Sequence, residues 1–538
     1  MIKDLTIKSI FGGIAPTQYF ARDDQYLDGV GIDLDLPITD SSGDRFMSGA
    51  LRPSGYSSFE GANIDSTPIS IFTTPKTALV YVVMANGKLV TYTSSFASEA
   101  AAADPAGGGA GGAGYYNNYI YIFGTGSSQD DISRYGPLDG SPSLTDAVWT
   151  GATLGSQTAL TNTTYPATRG GNYFNHWSHV HIDGKMYFCD FKAGIGYIHF
   201  IKTTKTTDEG DTNDGSTYNT LDLPFGYMPM DIESYGKDLI IIATQTSNST
   251  LNQGKAALFL WDTISPSYYD FVPLPDPLGI ALEYNDGSIF VFTGSVSTGV
   301  DSSNGYRVSR YLGGRSFEEV YYSDVGMPPL QGAVTSWGNR VSWGSFTQTR
   351  TTTAASPNYY GAVLAYRSKK RDISSGVHGV AKISATINNT RGHVTALANI
   401  QQDSFSFPKY IVGWIDQGTS GDTTGLDKQG TTYGTSIFRK MFQIGKSFKI
   451  TKIRFGLGAA VAANMTITPT IYLDDFSSSS TSGLPVINNT NFTGSERYIS
   501  YFPMIEGKNN FCFELVWSGT ALLPVLLPIE INVDILEN

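Results

Sequence analysis

The sequence predicts an all-β protein: a β-propeller of about seven blades over 71–425, an extended N-terminal arm over 1–70, and a C-terminal β-sandwich or jelly roll over 430–538. Composition is the first observation behind this reading. Glycine fills 59 of 538 positions, Tyr and Phe together fill 61, and charged residues make up 16% against a typical ~25%. The acidic residues are 36 Asp and only 12 Glu. Asp caps turns through its short side chain whereas Glu favours helix interiors, so this balance argues against a helical bundle, a coiled coil or a disordered chain. The second observation is a repeat of about 51 residues through the middle of the chain. The third is a series of six strand candidates in its last ~105 residues.

Residues 1–70 are rich in Gly, Pro and Asp and contain few periodic runs. They read as an arm lying on other surfaces. Ordering a residue costs ~1–2 kcal/mol of backbone entropy, so the arm is expected to order only against a partner. Two irregular units follow. Leu79-Val80-Tyr81-Val82-Val83 leads through Asn86-Gly87 into Leu89-Val90-Thr91-Tyr92, and Tyr119-Ile120-Tyr121-Ile122-Phe123 follows Asn117-Asn118. Between them, 96–114 is Ala/Gly-rich and reads as a flexible or closely packed loop, with a short helix over 97–103 as the alternative.

The repeat is a turn, an apolar strand, a variable loop, and a second strand carrying an aromatic residue. Its turn glycines are Gly184, Gly236, Gly287, Gly338 and Gly392, at spacings of 52, 51, 51 and 54. The strands after the first three are Met186-Tyr187-Phe188-Cys189, Leu239-Ile240-Ile241-Ile242 and Ile289-Phe290-Val291-Phe292. Unbroken apolar runs of this length suit strands buried on both faces. Trp261, Tyr311 and Tyr366 close the second strands, 25, 24 and 28 residues after their glycines. A unit of ~40–50 residues with several strands fits a propeller blade. Anchors near 76, 118, 184, 236, 287, 338 and 392 give seven. Beyond the Gly/Thr/Asp loop 418–434, strands are expected at 436–444, 448–456, 465–473, 497–502, 511–517 and 529–535.

The net charge is −12, so no general attraction to nucleic acid is available. The one dense basic run, Arg367, Lys369, Lys370 and Arg371, reads as a solvated loop. Cys189 and Cys512 are too few for a disulfide framework. Neither a signal peptide nor a run of 18 apolar residues is visible.

Motifs that carry chemistry are scarce. Four of six histidines, His176, His179, His181 and His199, fall within 24 residues. His179 and His181 share a face on a strand, but a metal would need a third ligand such as His199 or Asp183, and a hydrogen-bonded patch is the simpler reading. The acidic loop 208–215 has the wrong glycine spacing for an EF-hand and reads as a solvated turn. No HExxH, Cys-x-x-Cys pair, Gly-x-Ser-x-Gly, P-loop or recurring sialidase-type box occurs. The sequons at Asn162, Asn248, Asn388, Asn464, Asn488 and Asn491 read as Asn/Thr-rich loops. No catalytic, cofactor-binding or metal-binding residue is assigned.

Phe11-Gly12-Gly13-Ile14-Ala15-Pro16-Thr17, Gly29-Val30-Gly31-Ile32-Asp33-Leu34-Asp35-Leu36-Pro37 and Ser48-Gly49-Ala50-Leu51-Arg52-Pro53 resemble the N-terminal arm of tailed-bacteriophage virion proteins that carry a propeller. The Ser/Thr/Gly/Tyr-rich composition and the appended sandwich are also similar to phage tail components. This resemblance covers about the first 95 residues most closely. It implies a non-enzymatic structural protein of the virion, made in the host cytoplasm: a tail tube, nozzle or ring subunit in a cyclic homo-oligomer. Its partners would be other tail proteins, with no cofactor, no membrane span and no specific nucleic-acid binding. An acidic protein suits a conduit through which DNA passes without being held. The alternative is a carbohydrate-binding or glycoside-hydrolysing propeller acting on host surface glycans, with Trp177, Trp261, Trp337, Trp343 and Trp414 as candidate sugar-stacking residues.

Overall fold

The computed structural model describes residues 2–7, 13–14, 25–26, 28–30, 56–59, 64, 66–93, 99–106, 109–126, 131–149, 178–202, 221–245, 255–294, 305–323, 329–337, 340–348, 359–367, 379–385, 392–400, 409–418, 421–429, 436–457, 460–493, 498–519 and 529–536. The chain forms two compact units. Ser58–Phe346 with Thr390–Lys428 make one; Met1–Ser57, Thr347–Asn389 and Gln429–Asn538 make the other.

The first unit is the propeller. Five complete four-stranded antiparallel blades follow one another. Blade 1 is Pro68–Thr74, Thr77–Met84, Leu89–Tyr92 and Glu99–Ala103; blade 2 is Gly112–Tyr116, Tyr119–Thr125, Asp131–Gly136 and Ser143–Trp149. Blade 3 is His179–Ile182, Lys185–Lys192, Ile195–Lys202 and Leu221–Asp222; blade 4 is Tyr227–Tyr235, Asp238–Gln245, Ala256–Trp261 and Asp270–Pro273. Blade 5 is Leu278–Asn285, Ser288–Gly294, Tyr306–Gly313 and Ser316–Ser323. Val334–Trp337 with Arg340–Gln348 open blade 6, and Gly392–Ile400, Lys409–Gly418 and Gly421–Gln429 open blade 7. The first strand of each blade touches the first strand of the next, and that of blade 7 returns to that of blade 1. The ring is therefore closed and seven-fold.

The apolar second strands explain themselves once the blades face each other. Along Asp238–Gln245, Leu239, Ile241 and Ala243 join a core with Tyr187, Cys189 and Ile198 of blade 3. Ile240 and Ile242 join another with Leu282, Ile289 and Val291 of blade 5. Alternate side chains point to opposite faces, and here both faces meet a neighbouring blade. An unbroken apolar run is the consequence. Trp261, Tyr311 and Tyr366 are all buried.

The turns at 75–76, 117–118, 183–184, 236–237 and 286–287 all join the first and second strands of their blades. Residues 338–339, with the Gly338 anchor, lie between the corresponding strands of blade 6 but outside the described residues. Gly392 is a correction. It begins the first strand of blade 7 rather than following it, since that strand runs through Ile400. A shared bulge shows why. The first strands of blades 1, 4, 5 and 7 shift register around Ile69, Met230, Ile280 and Thr395. In blades 1, 4 and 5 that bulged residue stands six positions before the turn at 75, 236 and 286, whereas Gly392 precedes the blade 7 bulge at Thr395. The Ala/Gly-rich segment is likewise neither loop nor helix throughout. Glu99–Ala103 pairs with Leu89–Tyr92, and Gly112–Tyr116 opens blade 2.

The second unit contains a β-sandwich. One sheet runs Ile2–Ile7, Ile529–Ile535, Phe448–Gly456 and Tyr498–Tyr501, with Ile505–Gly507 also paired to Phe448–Gly456. The other runs Ser478–Ser480, Met465–Leu473, Asn510–Gly519, Ser436–Gln443 and Asp28–Val30. Their inner faces share a core of residues including Ile7, Phe448, Ile467, Phe511, Trp517 and Ile531. All six expected C-terminal strands are present within a few residues of their predicted ends. The arm 1–70, expected to lie on other surfaces and order only against a partner, is divided instead. Ile2–Ile7 and Asp28–Val30 are edge strands of the sandwich, Gly13–Ile14 pairs in parallel with Gly379–Ala385, and Pro68–Thr74 opens the propeller. These segments order against strands of their own chain.

Candidate functional site: the propeller axis

Polar residues of several first strands bond from blade to blade around the axis. Asp231 follows the blade 4 bulge. It accepts the backbone N–H of Leu282 in blade 5 at 2.7 Å, that of Ile232 at 2.9 Å, and the hydroxyl of Ser178 at the start of blade 3. Two residues on, and so on the same face, Glu233 accepts the N–H of Tyr284. Glu283 of blade 5 in turn accepts the N–H of Ser336 in blade 6. Each carboxylate thus bonds to the backbone of the next blade. Thr395 of blade 7 donates its hydroxyl to the Pro68 carbonyl of blade 1 at 2.6 Å.

Burial dominates the electrostatics. It pushes the Asp231 carboxyl up to about 7, against the three hydrogen bonds that favour its charged form. Burial and then the neighbouring Glu233 push Glu283 up to about 8, and burial also raises Glu233. His179 is held down to about 3 by burial and then by His181, and burial lowers His181 as well. Both imidazoles are neutral at pH 7.

A cavity of about 490 Å³ occupies the axis, lined by the first strands of blades 1, 2, 3, 4, 6 and 7. His179 and His181 both face it. Their rings lie 5.7 Å apart, and each packs on an aromatic of blade 2, Phe123 at 6.0 Å and Tyr116 at 5.4 Å. Gly114 makes this seat possible, since a Cβ there would stand 2.4 Å from the His179 Nε2. Gln331 donates from Nε2 to the Met230 carbonyl at 2.9 Å, and its Oε1 has no partner in the protein. Asn399 of blade 7 has both side-chain polar atoms buried and without a hydrogen-bond partner among the described residues.

His199 does not join the other two histidines. It is fully buried within blade 3 with Nε2 3.4 Å from Asp190. Asp183 sits in the blade 3 turn with a left-handed φ of 48°. Among the described residues no three His, Cys, Asp or Glu side chains converge as a metal site would require. Trp261, Trp343 and Trp414 are buried in the blades; the indole N–H of Trp261 donates to the Ser265 carbonyl and that of Trp343 to the Tyr306 hydroxyl. Trp337 is half-buried. His176, Trp177, the loop 208–215 and Lys369 to Arg371 lie outside the described residues. Both cysteines are buried thiols outside any disulfide among the described residues. Asn488, of one sequon, caps a turn by accepting the N–H groups of Thr490 and Asn491.

No protein-family model and no curated protein matches the sequence. Among solved structures, the chain is similar to the WD40 domain of Neurospora crassa Pan2, at 8% identity and a TM-score of 0.39 over 70% of this chain and 94% of that one. It is similar to the β-propeller domain of Myceliophteria thermophila Cps50 (Swd1), at 7% identity and a TM-score of 0.38 over 68% and 97%. It is also similar to the computationally designed Ika8 protein, at 10% identity and a TM-score of 0.37 over 69% and 98%.

Proposed function

We propose that this chain is a structural, non-enzymatic subunit of a tailed-phage virion, a tail nozzle, tube or ring component that assembles as a cyclic homo-oligomer. The observation that carries the reading is the edge of the sandwich. Ile2–Ile7 is the outermost strand of its sheet and is exposed except at Leu5 and Ile7. Among the described residues, nothing pairs with its outer side. A strand in that position offers unpaired N–H and C=O groups to a strand of another chain. If it meets a different patch on the next identical subunit, the contact is head-to-tail and closes into a ring when the rotation permits. The propeller then serves as a rigid platform whose blades are locked to one another at the axis.

Native mass spectrometry of the full chain tests this. A discrete species at an integer multiple of 58.1 kDa is expected. A monomer persisting at tens of micromolar chain would overturn the assembly reading.

A further inference from the structure

We infer that the subunits join edge to edge: the outer side of Ile2–Ile7 pairs antiparallel with the outer side of Tyr498–Tyr501 in a second copy of the chain. One sheet of the sandwich then runs unbroken across the junction. The inference rests on the cyclic assembly proposed above and names the patch that receives the strand. Ile2–Ile7 and Tyr498–Tyr501 end the same sheet, and among the described residues neither has a partner on its outer side. Ile2–Ile7 runs antiparallel to Ile529–Ile535, that strand antiparallel to Phe448–Gly456, and that one antiparallel to Tyr498–Tyr501. The two end strands therefore run in opposite directions. A second copy set beside the first in the same orientation presents Tyr498–Tyr501 antiparallel to Ile2–Ile7, the more stable pairing per residue. Opposite edges of one sheet are different patches, so the contact is head-to-tail.

The side chains select a register. Leu5 and Ile7 pack on the sandwich core, as do Ile499 and Tyr501, so odd-numbered residues face inward on both strands and even-numbered residues outward. Directly opposed residues share a face. Leu5 set opposite Ile499 satisfies this, and it brings Lys3 opposite the Tyr501 ring, Asp4 opposite Ser500 and Thr6 opposite Tyr498. Ile2 then meets Phe502, the residue after the strand. Ile2 is 70% exposed and Phe502 61%, and each would cover the other. No like charges are opposed, and a Lys facing an aromatic ring is attracted to it. Shifting the pairing by two residues sets Asp4 opposite either Phe502 or Tyr498 and separates Leu5 from Ile499. A two-fold contact between two copies of Ile2–Ile7 fits less well. Centred on Asp4 it opposes like charges, which is destabilising; centred on Leu5 it sets Lys3 opposite Ile7 and leaves Ile2 uncovered.

The test is disulfide trapping in the full chain. Asp4 and Ser500 are both exposed, and the native Cys189 and Cys512 are buried. Within one chain the two positions lie three strand spacings apart, ~14 Å, beyond the reach of a disulfide. Chains carrying Asp4→Cys and Ser500→Cys together are expected, on mild oxidation, to give a ladder at multiples of 58.1 kDa on a non-reducing gel. Neither substitution alone should give it, nor should Asp4→Cys with the out-of-register Glu506→Cys. Thr6→Cys with Tyr498→Cys replaces the first pair if that variant loses the wild-type melting profile. Phe502→Asp is expected to keep the melting profile, abolish the ladder and release monomer in native mass spectrometry. A ring in native mass spectrometry without the ladder overturns the edge pairing and leaves the cyclic assembly standing. Dimers from Asp4→Cys alone, or a Phe502→Asp chain that assembles as wild type does, also overturn the pairing; a persistent monomer overturns both.

Discussion

Glu283 releases its proton near pH 4.3 in an unfolded chain but near 8 in the folded propeller. Between those values the native state keeps a proton that the unfolded state has lost. Stability therefore falls as pH rises through that window and levels above it. His179 works in the opposite direction: its folded value of about 3 lies below the unfolded ~6.5, so stability falls as pH drops through that range. Glu283→Gln keeps the side chain uncharged at every pH. It should match wild type near pH 5 and exceed it at pH 8 by up to ~4 kcal/mol, at about 1.4 kcal/mol per pH unit. Urea unfolding at both values measures the difference, and equal stabilities at pH 8 would refute it. In the sandwich, the Arg439 Nε donates to Glu514 at 2.6 Å with both residues buried. Arg439→Ala leaves the buried Glu514 carboxylate without its cation, with the Tyr472 hydroxyl still donating to it at 3.2 Å, and should cost ~3–5 kcal/mol.

Ile2–Ile7 separates the two roles a strand end can play. Ile7 is 1% exposed within the sandwich core and Ile2 is 70% exposed at the free end. Ile7→Ala should destabilise the sandwich by ~2–5 kcal/mol, whereas Ile2→Ala should change its stability by less than ~0.5 kcal/mol; thermal melts of both variants check this. Nothing in Ile2-Lys3-Asp4-Leu5-Thr6-Ile7 says which strand it will meet, since its partner Ile529–Ile535 lies at the other end of the chain. Met465–Leu473 was readable because its burial is locally periodic, alternating buried and half-buried at every step. Gly184, Gly236 and Gly287 were readable because tight turns select residues that tolerate positive φ, and all three have it. Gly392 misled because glycine is common in this chain and the period lengthens into blade 7. Glu99–Ala103 misled because alanine's helix preference yields to pairing with Leu89–Tyr92. The two-residue spacing of His179 and His181 placed them on one face of a strand, read as a patch on a blade edge, whereas both line the axial cavity. Asp231, Gln331 and Asn399 were not readable, because they lie far apart in sequence and only closure of the ring brings them to one cavity.

The chain passes between its two units four times, at 57/58, 346/347, 389/390 and 428/429, yet the propeller blades and the sandwich each have their own buried cores. Separate cores favour separate cooperative transitions, because each unit buries enough apolar surface to unfold as a block. Calorimetry of the full chain is therefore expected to show two endotherms. Among the described residues, the carboxyls raised by burial, Asp231, Glu233 and Glu283, belong to the propeller unit. Raising the pH from 5 to 8 should lower one transition and leave the other nearly fixed. Glu283→Gln should reduce that displacement, identifying the mobile transition as the propeller. Arg439→Ala should lower the other, identifying it as the sandwich. If both substitutions move a single shared transition, the two units unfold as one block, and the four chain crossings couple them more strongly than their separate cores divide them.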